Sequence, residues 1–440
     1  MKKILCLGAG LVAKPYIQYL SKNGFYVIVA SRTKEKADRL IGGLENVESV
    51  AFNIKTDDAL LEKLTSKVDL VCSLLPYTFH VKAARVAIKH KKHFCTTSYI
   101  SDEMQSLDEE AKEAGILILN ECGVDPGIDH MSAMKIIDEV HDNDGKIVRF
   151  TSFTGGLPAP DSNNNPFGYK LSWSPRGVLL AGRNDAHFLR DGKEVTIPGH
   201  ELFNNCEQMT VPGMGTFEGY PNRDSLSYID IYSIPETKTM LRGTFRNVGW
   251  CKTLKKISDI GLLSLEERSF EGMTYLDLMK ELSNSDQDVV AATASVLELE
   301  LSDEVMHRLD WLGLFEDRPI PSSVDTNLDA LCYLFEEKLQ YAPGERDMIV
   351  MHHEFHAKYD DRKELITSTL IDYGIPNGDS SMSRTVALPV AIASRMILEG
   401  KIDLTGVHRP IIPEIYEPIL EELSRLDIEL QEVVSPLDIS

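Results

Sequence analysis

Lys3-Ile4-Leu5-Cys6-Leu7-Gly8-Ala9-Gly10-Leu11-Val12-Ala13 opens this chain, and Tyr26-Val27-Ile28-Val29-Ala30-Ser31-Arg32-Thr33 follows a helical stretch over 11–23. Two apolar runs joined by a glycine turn and a helix make a strand–turn–helix–strand unit. In the spacing G-x-G-x-x-A, Gly8 permits the tight turn out of the strand. Gly10 lets the backbone approach a pyrophosphate, and Ala13 lets the helix pack on the sheet. The loop through Ala9, Leu11 and Val12 leads into a helix start whose free N–H groups and positive dipole favour phosphate. The unit predicts a dinucleotide-binding fold.

The residues that end the second strand choose between nicotinamides. An NAD site usually carries Asp or Glu there, to hold the ribose 2′-hydroxyl. Here Ser31-Arg32-Thr33 stands in that place, with no acid before Glu35. A carboxylate would repel a 2′-phosphate, whereas a guanidinium and two hydroxyls bind it. One or two charge-assisted hydrogen bonds of roughly 1.5–3 kcal/mol shift preference toward NADP by about 10- to 1000-fold.

Composition narrows the class. A chain of 440 residues predicts two or three domains. No run approaches the ~20 apolar residues of a membrane span. Met1-Lys2-Lys3 passes straight into the first strand, so no secretory signal is expected. Seven scattered cysteines without C-x-x-C pairs suit reduced thiols and a cytoplasmic setting. The net charge of −22 opposes nucleic-acid binding, which needs a basic face.

Up to about residue 122, strand and helix alternate. Strands are expected at 3–8, 25–31, 47–53, 68–73, 93–96 and 116–119, with helices near 11–23, 33–42, 57–66, 78–91 and 102–114. This is the rhythm of an α/β, Rossmann-type doubly wound parallel sheet. Its strand ends at Asn53-Ile54, Leu74-Leu75-Pro76 and Thr96-Thr97-Ser98 should line the cofactor crevice. From 123 the texture turns Gly-, Pro- and Asn-rich. Strands are expected at 147–154, 227–234, 346–356 and 363–373, the last two as a hairpin about Asp360-Asp361. They predict a second α/β domain with a mixed sheet over 123–251 and 343–384. An all-helical insertion is expected over 252–342, where Leu254, Ile257, Tyr275, Leu278, Leu309, Leu312, Leu328 and Leu331 recur at helical spacing. Residues 385–440 form a C-terminal segment that packs back onto the body.

The run Asn120-Glu121-Cys122-Gly123-Val124-Asp125-Pro126-Gly127-Ile128-Asp129-His130 leaves the sixth strand. Asp-Pro-Gly is a turn signature, yet its position at the crevice makes Asp125 an acid poised between nicotinamide and substrate. Arginines then recur beside Gly, Pro or hydroxyl residues in non-periodic sequence: Arg176, Arg223, Arg242 and Arg246. Such arginines suit bidentate carboxylate recognition, and several in one domain predict a pocket for a polycarboxylate. His352-His353-Glu354-Phe355-His356 is not H-E-x-x-H, and on a strand its histidines fall on both faces. It is assigned a structural role, and no metal is expected.

Together, Gly8 to Val12 with Ser31-Arg32-Thr33, Asp125-Pro126-Gly127-Ile128-Asp129-His130, Gly155-Gly156-Leu157-Pro158-Ala159-Pro160, Trp173-Ser174-Pro175-Arg176-Gly177-Val178-Leu179, Arg242-Gly243-Thr244-Phe245-Arg246 and Gly406-Val407-His408-Arg409-Pro410 resemble saccharopine reductase, the NADP-linked, glutamate-forming saccharopine dehydrogenase family. The likeness runs essentially end to end. It implies a homodimer whose second domain carries the dimer contact. It also implies a reaction joining glutamate to 2-aminoadipate 6-semialdehyde through an imine that NADPH reduces to saccharopine. By likeness, the cofactor lies against Gly8 to Val12, Ser31 to Thr33, Asn53, Ile54, Leu75, Thr97, Val124, Asp125, Pro126 and Ser174. The substrate contacts Ser98, Tyr99, Asp125, Arg223, Thr244, Phe245 and Arg246. One departure stands out: the family often has cysteine where this chain has Thr154, so either a thiol is not essential there or this member has shifted chemistry.

Asp125 and Tyr99 are the candidates for proton traffic. Two other classes compete. A carboxyspermidine-type dehydrogenase would reduce an imine made from a diamine and would prefer acids near the cationic tail. A non-catalytic NADP-binding protein would not need Asp125 or the arginines.

Overall fold

The computed structural model describes residues 1–437. The described residues form two compact units, Met1–Gly145 with Ser368–Val433, and Lys146–Thr367 with residues 434–437.

In chain order, the first unit begins β1 (Lys3–Leu7), α1 (Ala13–Lys22), β2 (Tyr26–Ser31), α2 (Lys34–Ile41), β3 (Val47–Ala51), α3 (Asp58–Thr65), β4 (Leu70–Ser73), α4 (His80–Lys89), β5 (His93–Thr96), α5 (Asp102–Gln105), α6 (Asp108–Ala114), β6 (Leu117–Leu119) and α7 (Ile128–Asp142). The second unit holds β7 (Lys146–Pro158), α8 (Pro175–Ala181), β8 (Ala186–Arg190), β9 (Lys193–Ile197), β10 (Glu207–Val211), β11 (Gly215–Pro221), α9 (Ser227–Ile231), β12 (Thr239–Arg246), the helices α10 (Trp250–Asp259), α11 (Tyr275–Ser283), α12 (Val289–Val296), α13 (Glu304–Leu312) and α14 (Asn327–Lys338), and β13 (Asp347–Lys358). The chain crosses back along β14 (Lys363–Tyr373) and continues through α15 (Ser381–Leu398), β15 (Gly406–His408), α16 (Pro413–Arg425) and β16 (Leu430–Leu437).

The first sheet has the order β15-β6-β5-β4-β1-β2-β3, and every pairing is parallel. Its central strands are covered on both faces, so they read as unbroken apolar runs: Ile4, Leu5, Cys6 and Leu7 are all fully buried. The order reverses between β1 and β4, and ligands of such sheets bind at that switch point. α15 supplies part of the cover. Its Ser394 hydroxyl meets the Tyr16 hydroxyl of α1 at 3.1 Å, and Lys14 pairs with Asp379 at 2.7 Å just before it.

The second sheet is mixed, in the order β10-β11-β12-β7-β13-β14-β16, with β8 and β9 branching from β12. β12 runs parallel to β7, with Thr244 opposite Thr154, while β11 runs antiparallel to β12, with Tyr220 opposite Thr244. The five helices α10 to α14 lie between β12 and β13 in sequence, and the periodic residues Leu254, Ile257, Tyr275, Leu278, Leu309, Leu312, Leu328 and Leu331 form their buried faces.

Two expectations are corrected. Residues 227–234 are not a strand, because Ser227–Ile231 is helical. Asp224 sets this, since its carboxylate accepts from the N–H groups of Leu226 and Ser227 at 3.1 and 3.2 Å. Tyr228 and Tyr232, four apart, then bring their rings to 5.4 Å between centroids, tilted at 55°. The stretch 102–114 is two helices, α5 and α6, rather than one. Among the described residues, no helix is long and apolar enough to cross a membrane.

Candidate active site

The C-terminal ends of β3, β2, β1, β4 and β5 fall side by side in the sheet. They carry Asn53 and Ile54, Ser31 to Thr33, Gly8 to Val12, Leu75 and Thr97 in that order. Gly8 has φ +112, and a Cβ there would stand 3.0 Å from the Leu74 carbonyl oxygen, so the turn admits only glycine. Gly10 differs: a Cβ would meet nothing within 4 Å. No protein contact demands a glycine at position 10, which fits a surface kept bare for close approach of a phosphate. Beside it Leu11 is exposed. Arg32 is also exposed and has no ion-pair partner among the described residues, so its guanidinium is uncommitted. Asn53 is held by Asp57, whose carboxylate accepts from its N–H at 2.8 Å. These residues fit an NADP dinucleotide: a glycine cradle at one strand end and a cation without an acid at the next.

Beyond β5 and β6 the polar groups interlock. His80 is buried, with one ring nitrogen 2.9 Å from the Ser73 hydroxyl and the other 2.9 Å from the Ser98 hydroxyl. Burial lowers the His80 pKa to about 4, so the ring is neutral near pH 7. Ser98 is thus oriented by an uncharged hub. The next residue, Tyr99, donates its hydroxyl to Asp125 Oδ1 at 3.1 Å. Asp125 sits in a tight loop: Gly123 N–H donates to Pro126 O at 2.9 Å, and Ile128 N–H to Gly123 O at 2.9 Å. Gly127 has φ +149, and a Cβ would lie 2.0 Å from Gly123 O, so the loop admits no side chain there. Val124 and Pro126 are buried around it.

Glu121 clamps this loop. It is 1% exposed and in the left-handed region at φ 55. Its carboxylate accepts from Ile100 N–H and Arg409 Nε on one oxygen, each at 2.9 Å, and meets His130 Nε2 on the other at 2.9 Å. Its own N–H donates to Ser98 O at 3.0 Å. Burial pushes the carboxyl up, but His130, Arg409 and the Ile100 amide outweigh that and hold it below the ordinary range. The segment carrying Ser98 and Tyr99 is therefore tied to the segment carrying Asp125. Sequence reasoning passed over His80, Glu121 and Arg409 as site residues. A lone buried histidine and a carboxylate partnered 288 positions away leave no local signature.

In the second unit, Thr244, Phe245 and Arg246 end β12. Arg246 is 4% exposed, with its guanidinium carbon 5.1 Å from the Tyr169 ring, 5.5 Å from Trp250 and 6.0 Å from Tyr220. Nη1 donates to the Phe245 carbonyl at 2.8 Å, while Nε has no acceptor among the described residues. The Thr154 hydroxyl, on the neighbouring strand, likewise has none. A buried guanidinium left short of an acceptor and walled by three aromatic faces suits a carboxylate from outside the protein. Arg223 is exposed with φ 54, two residues past the end of β11. Ser174 caps α8, accepting from Gly177 N–H at 3.3 Å. Arg176 is committed elsewhere, to Asp329 of α14. His352 and His353 are core residues of β13, the latter 5.7 Å from the Phe150 ring.

Known proteins match along the whole chain. Residues 4–119 match the saccharopine dehydrogenase NADP binding domain, and residues 123–428 match the saccharopine dehydrogenase C-terminal domain. Saccharopine dehydrogenase [NADP(+), L-glutamate-forming] of Pyricularia oryzae is 42% identical over 98% of this chain and 99% of its own. The enzyme of that name from Saccharomyces cerevisiae is 41% identical over 96% of each. The crystal structure of the apo, histidine-tagged L-Glu-forming saccharopine dehydrogenase of Saccharomyces cerevisiae superposes with a TM-score of 0.91 at 39% identity, covering 99% of this chain and 100% of that one. With a cofactor cradle at one sheet edge, a clamped Tyr99–Asp125 pair and two family domains spanning nearly all of its length, the chain belongs to the saccharopine dehydrogenase family.

Proposed function

We propose that this chain is an NADP-dependent oxidoreductase acting on a CH–NH group. It interconverts saccharopine with L-glutamate and 2-aminoadipate 6-semialdehyde in lysine metabolism. The synthetic direction forms a C–N bond between the glutamate amine and the aldehyde carbon, with loss of water. NADPH, when bound, supplies the hydride that reduces the resulting imine. Gly8 to Val12, Asn53, Ile54, Leu75, Thr97, Val124, Pro126 and Ser174 would hold it, with Ser31, Arg32 and Thr33 on the 2′-phosphate.

The chain's own work is positioning and proton handling. Arg246 binds a substrate carboxylate in its aromatic box, with Arg223, Thr244 and the Phe245 backbone adding contacts. Ser98, aimed by neutral His80, offers a hydroxyl of fixed direction. Asp125 accepts the proton released as the amine attacks and returns one as water leaves, and Tyr99 shares that proton through its 3.1 Å hydrogen bond. Thr154 can hydrogen bond but is a poor acid–base group, so acid–base chemistry falls to Asp125 and Tyr99. A cytoplasmic homodimer is part of this reading, and light scattering of the purified protein tests the dimer.

The observation that carries the substrate class is Arg246, a buried cation with an unfilled donor. It fits the three carboxylates of saccharopine and disfavours a diamine-derived imine, whose ammonium tail it would repel. The test is NADP reduction by saccharopine at mildly alkaline pH beside NAD. Turnover with NADP preferred by about 10- to 1000-fold is expected. Absence of turnover in protein that binds NADPH would overturn the substrate.

A further inference from the structure

Two thiols and a carboxylate that the chemistry above does not use converge in the second unit. Cys206 stands just before β10, Glu218 on β11 and Cys251 in the first turn of α10. The two sulfurs and a Glu218 carboxylate oxygen all lie within 4.8 Å of one another. Among the described residues no other group of three His, Cys, Asp or Glu side chains comes so close. The three are distant in sequence, so no C-x-x-C or H-x-x-x-H spacing announces them.

The carboxylate is held in place. Gly249 N–H donates to one oxygen and Cys251 N–H to the other, both at 2.8 Å. These bonds use one acceptor position on each oxygen, and an ionised carboxylate offers about four. Ligating carboxylates are ordinarily fixed by such outer hydrogen bonds. Cys251 and Glu218 are 1% and 7% exposed, whereas Cys206 is half-buried and gives access from solvent.

We propose that Cys206, Glu218 and Cys251 form a three-ligand site for a thiophilic divalent cation of the zinc class, completed by water on the Cys206 side. Two thiolates select against magnesium and calcium, which take oxygen ligands. Tetrahedral zinc, with zinc–sulfur bonds of about 2.3 Å, brings its ligand atoms to separations that fall inside the 4.8 Å enclosing these three. Binding releases the two thiol protons to solvent. Three negative ligands around a dication leave one net negative charge, which the N-terminal end of α10 faces favourably. The ion would pin the chain before β10 to the start of α10. Trp250, adjacent to Cys251, is one wall of the Arg246 box, so the site would brace carboxylate recognition without touching substrate.

The experiment uses the full-length protein, reduced, stripped with chelator, desalted and titrated with cobalt(II) as the probe. A sulfur-to-cobalt charge-transfer absorption and tetrahedral visible bands are expected, saturating at one ion per chain and displaced by zinc. Cys206→Ser, at a half-buried position that tolerates it, should lose charge-transfer intensity and weaken zinc binding about tenfold or more. Its metal-free thermal midpoint should equal that of the stripped parent. Glu218→Gln should keep the charge transfer and weaken affinity. No charge-transfer band, the same band in Cys206→Ser, or a Cys206–Cys251 disulfide in protein kept under reductant each overturns the site.

Discussion

His80 and Arg246 are the buried polar hubs of the two units, and they are finished differently. His80 is neutral, and both ring nitrogens lie against hydroxyls of its own unit. Arg246 carries a permanent charge inside an aromatic box and keeps a donor without an acceptor. A buried group that only organises its surroundings is satisfied internally, because an unmade hydrogen bond costs about 1–3 kcal/mol. Under the proposed function, Arg246 is left incomplete because a ligand supplies the rest. The first unit leaves Arg32 exposed and Gly10 half-buried at neighbouring strand ends. The second buries Arg246, and under the proposed function desolvation would make that group selective.

The sharpest way to break this contrast is Asp125→Asn. If Asp125 moves the proton, the maximal rate should fall by about 10²- to 10⁴-fold with NADPH affinity unchanged. Steady-state rates with fluorescence titration of NADPH check this, and a preserved rate and pH profile would remove Asp125 from the chemistry. Arg246→Gln should cost about 2–5 kcal/mol, roughly 30- to several-thousand-fold in kcat/KM for saccharopine, again without changing NADPH binding. An equal loss of cofactor affinity would mean that Arg246 is structural. Arg32→Ala should weaken NADPH by about 10- to 150-fold and leave NADH unchanged, since one charge-assisted contact of about 1.5–3 kcal/mol is removed.

The smallest effect on turnover belongs to His80, which should show instead in stability. Its pKa is about 4 folded against 6.5 in the ordinary state, so the unfolded chain binds the extra proton between those values. Stability should be intact above pH 6.5 and fall by up to about 3 kcal/mol on acidification to pH 4. Denaturant melts across that range, beside His80→Asn, measure the contribution. An identical pH slope in the variant would assign the loss to other groups.

How far the residues foretold this molecule differed between the units for a physical reason. Parallel strands buried on both faces are unbroken apolar runs, and a glycine turn is local, so β1 to β6 and the cofactor edge were legible from short stretches. The strands of the second sheet around residues 186–221 and β12 were not. β8–β9 and β10–β11 are short hairpins in which β8, β9 and β10 bury few residues and so carry no clear apolar alternation. β12 pairs with β7 from far back in the chain and has Arg242, Thr244 and Arg246 interrupting its apolar pattern. Residues 227–234 misled because Tyr and Ile favour strands on average, while the deciding contact was the Asp224 cap. The Asp125 loop was visible as a motif, yet the Glu121 clamp that steadies it depends on Arg409, near the other end of the chain.

That last connection bears on how the protein is made. The edge strand β15 and Arg409 belong to the first unit but lie more than 250 residues after its sixth strand, with the Lys146–Thr367 body of the second unit threaded between. A ribosome delivering about 5–20 residues per second exposes the nucleotide sheet tens of seconds before its last strand can arrive. During that interval β6 is an open edge and Glu121 a buried acid lacking one of its cations. The second unit must therefore fold as a guest inside an unfinished host, and truncation near the C-terminus should harm the cofactor site more than its distance in sequence suggests.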